Sequence, residues 1–259
     1  MLSPDVLVVG LGPAGANAAA AAAAGGCRVL ALERRHEFGA PVQCAEFVSA
    51  MLSLEELRGE ALTEQPIRRM LTQVEQSAPE SLDDFRGRII SRAAFDAALV
   101  RRAERAGAMC RGATTAVAVA SDGSVRLADG SLVRPRVIIG ADGPRSRIGA
   151  AIGCANREFV ATRQISVRLL QSHDATDIFL RAAFRGGYGW LFPKRGSANL
   201  GIGVAYHERH RLPALLAQLQ DDLLGCGRIA LEEADRMTGG LIPVGGRGEI
   251  GRASCRERV

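Results

Sequence analysis

The first apolar run, Val6–Val9, is four residues long and rich in valine, and residues 27–32 (CRVLAL) form a second. Runs this short and unbroken read as strands buried on both faces. Between them residues 18–24 are all alanine, the best helix former, so the chain opens strand–helix–strand. Residues 93–106 follow a 3.6-residue period instead. Phe95, Leu99 and Ala103 share one face with arginines opposite, and Gly107 supplies the stop. Residues 51–62, with Leu52, Leu54 and Leu57, and residues 212–224 read as further helices. Residues 67–74 and 86–90 read as strands on either side of a polar turn at 77–84. The strands predicted at 115–120, 124–127 and 132–139 are separated by Asp122-Gly123 and Asp129-Gly130, the strongest short-range hairpin signal. The third of them runs into Gly140, Asp142 and Gly143 and then a helical start at Arg145. From Phe159 the texture changes. Residues 165–170, 178–184, 188–192, 198–204 and 237–244 predict an antiparallel sheet. The fold class is therefore α/β, a parallel nucleotide-type unit joined to an antiparallel sheet in two domains.

The first strand ends in G-x-G-x-x-G, with glycines at Gly10, Gly12 and Gly15. In such a turn the first glycine allows a tight reversal, the second lets backbone approach a pyrophosphate, and the third lets helix and strand pack closely. The helix N-terminus offers unpaired N–H groups and a partial positive charge to the phosphates. Glu33 ends the second strand about 20 residues on, where ribose hydroxyls need an acceptor. No G-K-[ST] follows, which excludes the P-loop. The reading is a dinucleotide site.

Composition narrows the class. The 259 residues are 47% hydrophobic and 24% charged, as expected of a globular enzyme, with no uncharged stretch of membrane-spanning length. The N-terminus enters a strand without a basic region, so no signal peptide is expected. Six scattered cysteines without a CxxC pair suit reduced thiols and a cytoplasmic setting. His207 and His210 lack a third ligand at sensible spacing, so no metal is expected. The formal charge is +5, of which residues 251–259 (GRASCRERV) contribute three arginines and one glutamate. Arg101 and Arg102 read as a solvated helix face, and no nucleic-acid partner is expected. Residues 250–259 read as a non-native tail, because GRASCRERV is what one frame of a common sequencing-adapter oligonucleotide encodes. The natural sequence is expected to leave this one near Glu249 and continue, which an independent read of the gene across that codon would check.

One stretch stands out on composition alone. The chain holds one Trp, two Tyr and one Lys against 32 Arg, and Tyr188, Trp190 and Lys194 fall within seven residues. A chain that otherwise uses arginine keeps a compact ammonium here. Tyr188, Trp190 and Phe192 alternate, so on a strand they share a face. They line an apolar cavity or form an ordinary aromatic core strand.

Four stretches together resemble the flavin-dependent geranylgeranyl reductase family, within the wider p-hydroxybenzoate hydroxylase-like flavoproteins. They are GLGPAG with Glu33; PVQCAEFVS at 41–49, like that family's P-x-x-C-x-E-x-x-S; Arg92 with GADGPRSRIG at 140–149; and YGWLFPKRGSANLGIG at 188–203. The resemblance implies a Rossmann-like, glutathione reductase-type FAD-binding domain (1–60 and 86–155) with an inserted antiparallel-sheet substrate domain (61–85 and 156–244). It implies FAD contacts at Gly10, Gly12, Pro13, Ala14, Gly15, Glu33, Arg34, Cys44, Ala45, Phe47, Arg92 and Asp142, and at the backbone of Ala116. The residues themselves leave other roles open. Asp142 also suits a helix cap, Arg92 a surface position, and Cys44 a small hydrophobe or a redox thiol. For substrate it implies an isoprenoid wall of Tyr188, Trp190 and Phe192, with Lys194 at a polar head or orienting the loop, and Asn199 and Gly201 shaping the return strand. No catalytic side chain is singled out.

The implied activity is FAD-dependent saturation of C=C bonds in geranylgeranyl or other polyprenyl groups. NADPH or ferredoxin is the external reductant, and an electron-donor protein and a lipid-linked substrate are the partners. Membrane contact is peripheral, through the substrate alone. A flavin monooxygenase or halogenase acting on an aromatic substrate is the alternative, followed by an electron-transfer flavoprotein and by an inactive fragment. The family's later G-D-A motif, which holds the ribityl chain, is absent from these 259 residues.

Overall fold

A computed structural model describes residues 2–53, 57, 62–230 and 237–245. Its elements begin β1 (Val6–Val9), α1 (Pro13–Ala24), β2 (Val29–Leu32), β3 (Phe47–Ser49) and β4 (Thr63–Ile67). They continue β5 (Arg69–Val74), β6 (Glu80–Leu82), β7 (Gly87–Ile90), α2 (Arg92–Arg105) and β8 (Met109–Arg111). Next come β9 (Ala116–Val119), β10 (Val125–Leu127), β11 (Leu132–Val133), β12 (Val137–Gly140) and α3 (Arg147–Ala151). The last are β13 (Phe159–Arg168), β14 (Ala175–Leu180), β15 (Gly189–Lys194), β16 (Ser197–Ala205), α4 (Leu212–Gly225) and β17 (Met237–Pro243). The helix expected at 51–62 lies largely outside the described residues, and the tail at 250–259 lies wholly outside them.

One compact unit holds residues 2–41 and 93–157. Its parallel sheet has the order β12-β1-β2-β8, with Val6 opposite both Val29 and Val137. All four residues of β1 and of β2 are buried, as strands covered on both faces must be. Helix α1 buries Ala16, Ala19 and Ala20, whose methyl groups let it lie close on the sheet. A three-stranded antiparallel sheet, β11-β10-β9, packs Val125, Leu127, Val133 and Ala116 into one cluster with Leu7 and Leu30. In its turns Gly123 and Gly130 take φ +80° and +85°, and Asp122 and Asp129 each accept two bonds from the serine two residues on. Residues 132–139, expected as one strand, divide at Arg134–Arg136 into β11 and β12, which join different sheets. Pro135 lies between the two.

Asp5 joins the starts of β1 and β2. Its carboxylate accepts from the Arg28 backbone N–H at 3.0 Å and from the Arg28 guanidinium at 3.1 Å. Those bonds hold the Asp5 pKa down to about 2. A depressed carboxylate adds stability above its unfolded value of about 3.9, and loses it as pH falls through the folded value. Asp5→Asn is expected to lower stability at neutral pH and leave it little changed near pH 2, so that the acid limb of a thermal-unfolding series between about pH 4 and 2 becomes flatter.

The second unit holds residues 42–53, 57, 62–92, 158–230 and 237–244. Its seven-stranded sheet has the order β17-β13-β16-β15-β14-β5-β6, antiparallel except between β14 and β5. A smaller sheet, β3-β7-β4, pairs Phe47 with Ile89 and Ile67 with Gly87. That pairing draws residues 42–53 and 86–92 into this unit, whereas the sequence division put them with the nucleotide part. Residues 67–74, expected as one strand, break at Arg68 because β4 and β5 serve different sheets. The strand expected at 178–184 lies earlier, at Ala175–Leu180. Leu215, Leu216, Leu219 and Leu223 of α4 pack on one face of the large sheet, against Leu191, Leu200, Ile202 and Val204.

Candidate functional site

The first unit contributes the glycine turn. Gly10 follows β1 with φ +97° and donates to the Leu32 carbonyl at 2.8 Å. A Cβ there would lie 2.2 Å from the Ala141 carbonyl oxygen, and one on Gly15 would lie 1.8 Å from that of Gly10. Both positions therefore exclude side chains for packing reasons. A Cβ on Gly12 would meet nothing within 4 Å, so the middle glycine leaves open space over the start of α1. Pro13 occupies the first helical turn, Ala14 is exposed, no side chain caps the helix and its first turn carries no acid. The positive end of α1 is thus left bare for an anion.

Glu33 follows β2, and its two carboxylate oxygens accept from Leu11 N–H at 3.0 Å and Arg35 N–H at 3.1 Å. Each oxygen keeps lone-pair capacity for a hydroxyl. A bare helix terminus with a fixed carboxylate at the neighbouring strand end fits the diphosphate and ribose of FAD. Arg34 is exposed. Its neighbour Arg35 donates from Nη1 to the carbonyls of Ala40 and Pro41, at 3.2 and 3.0 Å, and so shapes the loop that follows. Ala116 is buried, and its carbonyl accepts from Arg147 Nη1 at 3.1 Å. Asp142 has the bonds of a helix cap. It accepts from Ser146 Oγ, from Arg147 N–H at 2.7 Å and from Ile148 N–H at 3.4 Å.

The second unit gathers the other candidates on one face of the large sheet, opposite α4. Strand register aligns Gln164 with Gly201 and Trp190, and Ser166 with Asn199 and Phe192. Trp190 donates from Nε1 to Gln164 Oε1 at 3.0 Å and meets the ring of Tyr188 edge to face at 6.0 Å. Trp190 is buried and Tyr188 is 46% exposed, so the aromatic face runs from the interior outward. Phe192 meets Phe47 edge to face at 5.9 Å, and Phe47 stacks on Phe85 at 5.2 Å.

Gly201 makes room for the indole, since a Cβ there would lie 2.3 Å from Trp190 Cζ2. Gly201→Ala is expected to push the indole off Gln164 at a cost of about 1–3 kcal/mol. Trp190 is the sole tryptophan, so a red shift in intrinsic fluorescence together with a lower unfolding midpoint checks it.

Glu46 was not singled out from the sequence, yet it ties this face to the loop before β3. It is 5% exposed with φ +70°, and its carboxylate accepts from Lys194 Nζ at 2.8 Å, Asn199 Nδ2 at 3.2 Å and Arg92 N–H at 3.0 Å. Arg92 therefore enters the cluster through its backbone, at the first residue of α2. Cys44 is half-buried, and its Sγ accepts from Glu46 N–H at 3.3 Å. The carbonyls of Cys44 and Ala45 accept from Gln164 and Asn199. The signal for Glu46 was present in the sequence as a single acid amid C-A-E-F-V-S, in a chain with a single lysine.

The chain matches the family described as FAD binding domain over residues 3–183. Digeranylgeranylglycerophospholipid reductase 2 of Methanopyrus kandleri is 37% identical to it over 275 residues, covering 93% of this chain and 66% of that protein. The reductase 2 of the same name from Methanosphaera stadtmanae is 30% identical, covering 95% of this chain and 67% of its own length. Among solved structures, a geranylgeranyl bacteriochlorophyll reductase-like protein from Thermoplasma acidophilum superimposes with a TM-score of 0.83 at 27% identity, over 94% of this chain and 67% of that one. The chain spans about two thirds or less of the length of the curated relatives it matches.

Proposed function

This chain belongs to the FAD binding domain family and to its geranylgeranyl reductase branch, and from that premise we propose that the protein saturates C=C bonds in geranylgeranyl or related polyprenyl groups carried on a lipid. The observation that carries the reading is the aromatic face of β15. An isoprenoid chain offers only apolar surface and π-density, and Tyr188, Trp190 and Phe192 alternate along one face, with Trp190 held by Gln164 and fitted over Gly201, Tyr188 against Trp190 and Phe192 against Phe47. FAD, when bound and reduced by the external donor, would supply hydride to one olefinic carbon, a proton going to the other. The bare N-terminus of α1 would hold its diphosphate, and Glu33 its ribose hydroxyls. Trp190 and Phe192 keep water from the carbons that change hybridisation.

The reductant in this reading is NADPH or a ferredoxin-type protein. The protein works in the cytoplasm and meets the membrane through its lipid substrate. No helix among the described residues is long and apolar enough to cross a bilayer. The test is anaerobic incubation of the protein with chemically reduced FAD and a digeranylgeranyl lipid, followed by mass spectrometry. Each saturated bond adds two hydrogen atoms. A lipid of unchanged mass, with hydroxylation or halogenation of an aromatic compound in a parallel run with oxygen admitted, would replace this reading with the monooxygenase one.

A further inference from the structure

Three adjacent strands each send one side-chain donor to three consecutive residues of a loop. Gln164 Nε2 on β13 donates to the Cys44 carbonyl at 3.3 Å. Asn199 Nδ2 on β16 donates to the Ala45 carbonyl and to Glu46 Oε2, both at 3.2 Å. Lys194 Nζ on β15 donates to Glu46 Oε2 at 2.8 Å. The register makes this a diagonal. Gln164 stands in the row of Gly201, Asn199 in the next same-face row, and Lys194 in the one after, opposite Ser197. The loop crosses the sheet along that line, and two more backbone donors close it: Ile90 N–H to the Glu46 carbonyl at 2.9 Å and Arg92 N–H to the Glu46 side-chain Oε1 at 3.0 Å.

Glu46 needs such support. A bulky residue at φ +70° is strained by roughly 1–2 kcal/mol, and it persists only where surrounding contacts over-determine it. The strained turn in turn aims the Glu46 N–H at Cys44 Sγ and so fixes the direction of that thiol.

We propose that Gln164, Asn199 and Lys194 are positioning residues that hold the Cys44–Glu46 loop over the aromatic face, and that Lys194 and Asn199 bind neither the prenyl chain nor its polar head. Both Nδ2 protons of Asn199 go to the loop, and the Lys194 ammonium is anchored at 2.8 Å to a carboxylate only 7% exposed. Leaving the loop to follow a substrate would strand the Glu46 carboxylate and the Ala45 carbonyl, so both side chains stay with the loop. The inference rests on the prenyl-reductase reading only for its catalytic consequence.

The test compares Lys194→Arg, Lys194→Met and Asn199→Ala with the parent protein in two measurements. In hydrogen exchange of the intact protein, peptides covering residues 42–49 and the Arg92 amide are expected to exchange at least about tenfold faster in Lys194→Met and Asn199→Ala, with Lys194→Arg recovering part of the protection. In turnover, kcat is expected to fall about tenfold or more while KM stays within about threefold, equally for lipids with charged and neutral heads. Unchanged exchange in all three variants, with KM rising only for charged-head lipids, would overturn the proposal and make Lys194 a substrate ligand. Exchange does not depend on turnover. If no prenyl lipid is reduced at all, the reductase reading fails while the exchange result still decides the positioning role. Should Lys194→Met not fold, Asn199→Ala and Lys194→Arg carry the same decision.

Discussion

Lys194→Met is expected to destabilise the second unit by about 3 kcal/mol, the lower edge of the range for breaking a buried ion pair. The lysine side chain is 28% exposed and its partner Glu46 only 7%, so the change strands a carboxylate with little water around it. Asn199 and the Arg92 N–H remain as donors and moderate the loss. Glu46→Gln in the same background removes the stranded charge, so the double variant is expected to regain at least about half of the lost stability. Urea unfolding followed by Trp190 fluorescence reads this unit directly. A double variant no more stable than Lys194→Met would show that the charge on Glu46 is not what the lysine serves.

Gly10→Ala is expected to cost about 3 kcal/mol or more and to weaken FAD binding by at least about a hundredfold. Two independent penalties coincide there. The backbone lies at φ +97°, where a side chain is strained in any surroundings, and the new Cβ would lie 2.2 Å from the Ala141 carbonyl oxygen and 2.8 Å from the Asp142 backbone nitrogen. Relief requires the turn to separate from the segment after β12, which moves the N-terminus of α1 away from the place where it meets a diphosphate. A flavin titration of the purified variant alongside the parent checks it. Gly12→Ala is the contrast, because its Cβ meets open space, so stability should hold while flavin affinity falls.

Local patterns told most of the first unit. β1 is an uninterrupted apolar run, the alanines of α1 have one strong preference, and the two D-G turns specify their own hairpins. What failed was the reading of residues 67–74 and of residues 132–139 as one strand each. Residues 67–74 and 132–139 each serve two sheets, and the division at Arg68 or at Arg134–Arg136 is set by partners distant in sequence. β6 was read as turn because Glu80–Leu82 is exposed throughout and carries no burial pattern. At the candidate site, the scarcity of lysine marked Lys194 as a place for an ammonium. Its partner lay 148 residues away, beyond the reach of any local pattern. Arg34 and Arg35 are the same residue type side by side, and only the loop geometry assigns the carbonyl contacts to Arg35. Asp142 was legible as a cap or a cofactor neighbour, and its cap bonds follow from Ser146 and Arg147 starting a helix just beyond it.

The most direct test of the proposed chemistry is a single anaerobic turnover watched through the flavin itself. The protein is loaded with FAD, reduced, freed of excess reductant and mixed with a polyprenyl lipid in the absence of oxygen. A prenyl reductase returns the oxidised-flavin absorbance in step with one saturated bond per flavin. Flavin that stays reduced until oxygen is admitted, with the lipid recovered unchanged, would contradict that chemistry.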